Sequence, residues 1–290
     1  MYVDMLRIRN PGDNSFFEPP HLDDGSIERW ADVTYRHVYR KILEELDLES
    51  YDPFEVDYRY ITHLYSKIKS YSVIIPINKY LLISKHMLCS IYFRVEAQMN
   101  KDGQANGVSA FRAFQGILSL SNSEPGAGTL KVLPLLKETT AYLMIRPFLS
   151  DVNSNQIPGC APSKLFQISQ KWHPDIHDEL ISIPKLYPGD TVWWHPDLVH
   201  SVETEHVGNE ANSLMHIPVA PDCPINRVYL RKLRHSFVLG KTPPDFTEND
   251  FEVSYDDRAR INDLTNIGRK LMGWGVDENI SEAKSQHQCE

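Results

Sequence analysis

The alternation of apolar and polar positions is clearest from Phe111 onward. Residues 111–121, 129–136, 190–194, 199–203 and 213–219 are short runs rich in Val, Ile, Leu, Phe and Trp. Runs of this length and composition, bounded by turn formers, predict strands. Pro125-Gly126-Ala127-Gly128, Pro188-Gly189 and Pro196-Asp197 supply the turns between them. Helical spacing appears in three places: Tyr35, Val38, Ile42 and Leu46 behind a capping Asp32; residues 226–237, with Asn226 as cap and Gly240 as stop; and Ile261, Leu264, Ile267 and Leu271. Residues 139–149 fit a helix or a strand equally, and 151–180 read as loop. Residues 1–20, with Pro11-Gly12 and Pro19-Pro20, read as an irregular leader with no element of its own. Many short strands separated by Pro/Gly turns predict a mainly β fold, a jelly-roll-like double-stranded barrel with α-helices packed outside.

Two stretches stand apart from this pattern. Residues 65–106 carry six basic residues against two acidic ones and show no clean amphipathic period. The expectation is an insertion over 66–105, although the frequent Val, Ile and Tyr of 70–95 would also suit extra strands. Residues 275–290 read as a polar tail, which leaves one domain over 1–274.

Composition narrows the function. A formal charge of −9 over 290 residues, with 41% hydrophobic and 24% charged residues, is ordinary globular usage. It disfavours nucleic acid and anionic membranes as partners, because both call for a basic face. The N-terminus has no apolar signal-like run, and Val73 to Ile83, the most apolar stretch, is too short and too interrupted to span a bilayer. Cys89, Cys160, Cys223 and Cys289 are scattered, with no zinc-site spacing. Free thiols in a reducing, cytoplasmic setting are expected; the oligomeric state is left open.

The candidate chemistry lies in two segments far apart. In His21-Leu22-Asp23-Asp24-Gly25-Ser26 an extended backbone places His21 and Asp23 on one face, with Asp24 opposite. In Trp193-Trp194-His195-Pro196-Asp197-Leu198-Val199-His200 a Pro-Asp turn separates two histidines. Two imidazoles and a carboxylate on one side of a metal, the other side open, form the ligand set of non-haem Fe(II) oxygenases. A bare H-x-D is common by chance and ordinarily marks a solvated loop. His206 and His216 read as ordinary surface or strand histidines.

HLDDGSIERW (21–30), FRAFQGILSLS (111–121), PGAGTLKVLPLLK (125–137) and PGDTVWWHPDLVHSVE (188–203), taken together and in this order, resemble the DUF1479 family. That family is similar to the Fe(II)- and 2-oxoglutarate-dependent oxygenases of the phytanoyl-CoA hydroxylase kind. The resemblance covers roughly residues 19–64 and 107–274. It implies a cupin-like barrel holding Fe(II) through His21, Asp23 and His200, with His195 and Trp194 behind the ligands. It also implies 2-oxoglutarate and O₂ as cosubstrates and a small-molecule substrate. Relatives of that kind place an Arg about ten residues past the distal His to hold 2-oxoglutarate, yet residues 201–226 contain neither Arg nor Lys. Arg112 is the first candidate for that carboxylate, with Arg146 and Arg227 as alternatives and Gln115, Thr129 and Ser213 as further contacts. The competing expectation is a catalytically silent barrel that binds a ligand or a protein.

Overall fold

The computed structural model describes residues 6–15, 18–23, 25–31, 39–54, 109–149, 157–162, 164–246 and 251–275. It is mainly β: two antiparallel sheets with helices around them. The first sheet runs β1 (Leu6–Arg9), β9 (Asn212–His216), β3 (Gln115–Ser119), β7 (Thr191–Trp194). The second runs β5 (Phe166–Gln167), β2 (His21–Leu22), β8 (His200–Val202), β4 (Leu130–Val132), β6 (Ile181–Ser182). Chain neighbours therefore tend to fall in different sheets, and distant segments become adjacent. The pairing that matters most sets His21 directly opposite His200.

Strand periodicity sorts the second sheet's side chains onto two faces. Leu22, Val199 and Phe166 point away from the first sheet, into a core with Leu143 and Met144 of α3 (Leu136–Ile145) and Ile42 of α2 (Arg40–Leu43). Between the sheets, Ile117, Leu130, Ile183, Leu186 and Trp194 form a smaller apolar cluster. A third cluster, Tyr229, Leu233 and Met272, joins α5 (Pro224–Leu239) to α6 (Asn266–Leu271). The remaining helices are short: α1 (Glu28–Ala31) follows the first site segment and α4 (Pro174–His177) follows β5.

The leader expected to be irregular contains β1. Leu-Arg-Ile-Arg is an alternation, with Leu6 and Ile8 exposed and Arg9 buried. Its register against Asn212–Met215 adds a strand beside β9. Arg9 Nη1 donates to the carbonyls of Glu203 (2.7 Å) and Gly128 (3.2 Å), and Nη2 to those of Asp13 (2.8 Å) and Thr204 (3.3 Å). The guanidinium thus ties three chain segments together, around Asp13, Gly128 and Glu203-Thr204. Gly128 has φ +67°, and a Cβ there would sit 2.5 Å from Arg9 Nη1, so the turn requires glycine on both counts.

Residues 139–149 resolve as helix α3 and a 3₁₀ turn over Arg146–Phe148. Asn226 does not cap α5. The N-cap is Cys223, and Asn226 instead clamps the β3 approach, accepting from Phe111 N at 2.7 Å and donating to Phe111 O at 2.8 Å. Gly240 does end that helix, at φ +69°, with its N–H and that of Lys241 closing the last turn. The expected Asp32 cap, the insertion over 66–105, Cys89, Cys289 and nearly all of the 275–290 tail lie outside the described residues. Cys160 and Cys223 are free thiols, and no helix among the described residues is long and apolar enough to cross a membrane.

The loop carrying α4 gives a pH prediction. His173 is buried against Phe166, ring centroids 5.6 Å apart, and its Nδ1 accepts from Ser169 N. Burial, then the charges of Arg146 and His177, push its pKa down to about 4. Below about pH 6.5 the unfolded chain binds a proton that the folded one refuses, so stability falls as pH drops through that window. At pH 5 His173 alone should remove about 2 kcal/mol relative to pH 7.5. Urea unfolding of wild type and His173→Asn at the two pH values checks this; equal losses in both proteins would contradict it.

Candidate metal centre

The metal-ligand candidates are brought together by the β2–β8 pairing. Nε2 of His21 lies 3.6 Å from Asp23 Oδ1, and Nε2 of His200 lies 3.5 Å from Asp23 Oδ2. One ligand atom from each of the three residues fits within a mutual 4.8 Å, and no other such group occurs among the described residues. Donors about 2.1 Å from one ion and at right angles would be about 3 Å apart, so the two histidine–carboxylate separations need only a small contraction to reach coordination.

The backbone fixes which ring nitrogen each histidine offers. His21 Nδ1 donates to Pro19 O at 2.6 Å and His200 Nδ1 to Leu198 O at 2.9 Å, each carbonyl two residues earlier. Both Nε2 atoms face Asp23, and in the neutral rings they carry the free lone pairs, the orientation that metal-binding imidazoles need. Burial opposes a charge on His21, but the hydrogen bond and charge of Asp23 outweigh it and raise its pKa. Burial likewise opposes the Asp23 carboxylate. Hydrogen bonds from the His200 and His21 rings when these are protonated, and the charges of His200 and Arg112, win and hold its pKa well below 3.8. A carboxylate kept ionised beside two neutral-capable imidazoles is a divalent-cation donor set.

The two loops carrying these ligands are locked to each other through a buried ion pair. Arg29 Nη1 donates to Asp197 Oδ1 at 2.7 Å and to Tyr39 Oη at 2.7 Å, while Tyr39 Oη donates to Asp197 Oδ2 at 3.0 Å. Arg29 Nη2 also donates to the backbone carbonyl of Asp23 at 2.8 Å. One guanidinium thereby holds the candidate ligand Asp23 and the turn just before His200. Sequence reasoning missed this trio; its signal is an Arg and an Asp inside the two apolar-flanked site segments.

Trp194, Gln115 and Arg112 line the same cavity as the trio, a cleft of about 540 Å³ between the sheets. Gln115 donates from Nε2 to Asp23 Oδ2, so it aims the carboxylate and has that bond as its first duty. Arg112 is 8% exposed and its charge reaches Asp23. Trp194 packs its ring 5.5 Å from that of His200. His195 is buried outside the cavity: Phe54 and Phe114 meet it edge-on, and its Nδ1 accepts from Asp197 N at 3.0 Å. It braces the turn that delivers His200.

Other expected contacts lie elsewhere. Thr129 gives its N–H to Glu203 and its hydroxyl accepts from Ser123, away from the cavity. Ser213 alternates with Asn212 and Leu214, which line the cavity, so its side chain takes the other face of β9. Arg146 Nε bonds Trp172 O, and Arg227 is 63% exposed and paired with Asp222. Asp24 lies outside the described residues, His206 is buried with Nε2 on Glu210 O, and His216 lines the cavity.

The sequence pattern described as Gig2-like matches residues 1–74 and 83–274. The chain belongs to the Gig2-like family. It is 32% identical over 276 residues to "Uncharacterized protein YbiU" of Escherichia coli (strain K12), covering 95% of this chain and 57% of that protein. The crystal structure called "Putative Oxidoreductase from Salmonella typhimurium LT2" superposes with a TM-score of 0.73 at 31% identity, covering 93% of this chain and 57% of that one. That of GlcNAc Inducible Gene 2, GIG2 (DUF1479), from Candida albicans gives 0.68 at 30% identity, covering 99% and 59%. This Gig2-like chain therefore spans less than two thirds of the relatives it matches. Of the segment expected to be an insertion, 66–105, the match includes 66–74 and 83–105 and leaves out 75–82.

Proposed function

We propose that this Gig2-like chain is the metal-binding core of a non-haem Fe(II)- and 2-oxoglutarate-dependent oxygenase that oxidises a small molecule. The observation that carries the reading is the convergence of His21, Asp23 and His200 on one wall of an intersheet cavity. Two imidazoles and one carboxylate with an open side is the donor set of that enzyme class. Strand order supports a jelly-roll reading. With the edge strand β5 set aside, the sheets run β1-β9-β3-β7 and β2-β8-β4-β6, the eight-strand double-sheet arrangement of such folds. An oxidoreductase is also what the Salmonella neighbour's name suggests.

In this reading iron, when bound, supplies O₂ activation coupled to oxidative decarboxylation of 2-oxoglutarate to succinate and CO₂. The chain's residues do the rest. The carbonyls of Pro19 and Leu198 set the two imidazole tautomers, and Gln115 orients the Asp23 carboxylate. Arg112, a buried cation that lines the cavity as Arg9 also does, meets a carboxylate of 2-oxoglutarate, since a buried anion without a counter-charge is costly.

Arg112→Ala should weaken 2-oxoglutarate binding at least tenfold, about 1.4 kcal/mol or more, with metal affinity nearly unchanged. Unchanged cosubstrate affinity would remove Arg112 from this role. The function itself is tested by following 2-oxoglutarate with and without Fe(II), ascorbate and air. Succinate should appear only with all three present, and should vanish in Asp23→Ala. Succinate formation that survives Asp23→Ala would refute the reading.

A further inference from the structure

We propose that the indole N–H of Trp194 is a ligand-binding donor, which holds a carboxylate oxygen of the small molecule bound beside His21, Asp23 and His200. The inference deepens the 2-oxoglutarate reading and rests on it for its probe. Strand β7 turns its two tryptophans to opposite sides. Trp193 is 46% exposed on the outer face, and its Nε1 donates to Thr191 Oγ1 at 3.1 Å. Trp194 is 5% exposed and lines the cavity, and its Nε1 has no hydrogen-bond partner among the described residues.

A buried N–H without an acceptor forfeits its hydration with nothing in return, so such groups are rare unless a ligand or water completes them. Gln115 pairs with Trp194 across β3 and β7, but its amide nitrogen is turned to Asp23 and its oxygen makes no hydrogen bond with the indole. Trp194 lines the cavity, so the cavity is where a partner can be supplied. Its chemistry follows from the surroundings. The indole ring lies against the ring of the ligand His200, and Arg112 adds a buried positive charge to the same cavity. An acceptor oxygen that also carries negative charge satisfies both donors, and a carboxylate is the simplest such group.

This role predicts a signature that a packing role would not give. Trp194→Phe keeps most of the ring and removes the uncompensated donor. The ligand-free protein should keep or raise its thermal midpoint while ligand affinity falls.

The chain's 5 tryptophans give 5 indole ¹H–¹⁵N resonances; Trp194→Phe and Trp193→Phe identify the two of β7. With Zn(II) as a diamagnetic occupant of the metal site, titration of 2-oxoglutarate should move the Trp194 resonance downfield and leave that of Trp193 in place. By calorimetry Trp194→Phe should bind 2-oxoglutarate at least tenfold more weakly, with Zn(II) affinity unchanged. Should that variant fail to fold, the resonance is assigned by its proximity to the His200 ring, and the wild-type shift decides. If 2-oxoglutarate binds but the Trp194 resonance stays put, or the variant binds it as wild type does, the donor role is overturned and the cosubstrate reading stands. If wild type with Zn(II) does not bind 2-oxoglutarate at all, the cosubstrate reading falls and this inference with it.

Discussion

His200→Ala is expected to abolish binding of one divalent metal ion per chain, whereas His195→Ala keeps the ion. The two residues flank the same Pro196-Asp197 turn, yet only His200 points its Nε2 at Asp23, at 3.5 Å. His195 lies outside the cavity between Phe54 and Phe114 and accepts from Asp197 N, so its loss loosens the turn without removing a donor atom. With one of three protein ligands gone the remaining pair cannot match the original affinity, and loss of 100-fold or more is expected by analogy with the 10- to 100-fold typical of outer partners. Metal content after dialysis against Fe(II) or Mn(II) checks both variants; equal loss in the two would contradict the assignment.

The largest effect on stability is expected from Arg29→Met. It leaves the Asp197 carboxylate buried with Tyr39 as its remaining side-chain partner in this trio, and removing one partner of a buried pair costs about 3–5 kcal/mol. For a chain of this size that is a fall in thermal midpoint of roughly 10 °C. Because Arg29 also holds the Asp23 carbonyl, metal affinity should drop as well. The double variant Arg29→Met/Asp197→Leu removes both charges and should regain much of the stability but not the metal affinity. Thermal unfolding of the three proteins decides; a midpoint for Arg29→Met within a degree or two of wild type would mean that the pair does not bind the loops together.

The site was more legible in the sequence than the frame that holds it. His21, Asp23 and His200 could be picked out through the family resemblance of the segments around them, since a bare H-x-D ordinarily marks a solvated loop; the structure brings the three together. The β1 strand was hidden because Leu-Arg-Ile-Arg exposes its apolar residues and buries Arg9, the inverse of the usual rule, and only the pairing with β9 explains it. Strands β2, β5 and β6 are two residues each, too short to carry a period. Asn226 looked like a helix cap because Asn favours that position, but tertiary contact with Phe111 claimed its amide. Gln115, Thr129 and Ser213 were chosen for chemistry alone. Which of them reaches the cavity depends on strand parity, and Gln115 and Ser213 lie on opposite faces of their sheet. The Arg29–Asp197 link spans 168 residues, and no local pattern reports such a contact.

The central claim is that His21, Asp23 and His200 hold one Fe(II) that in turn binds 2-oxoglutarate. Anaerobic titration of the protein with Fe(II) and then 2-oxoglutarate tests it most directly. A weak visible charge-transfer band should grow in, saturate near one equivalent of each, and be absent from Asp23→Ala. Fe(II) binding without that band, or the same band in Asp23→Ala, would contradict the account.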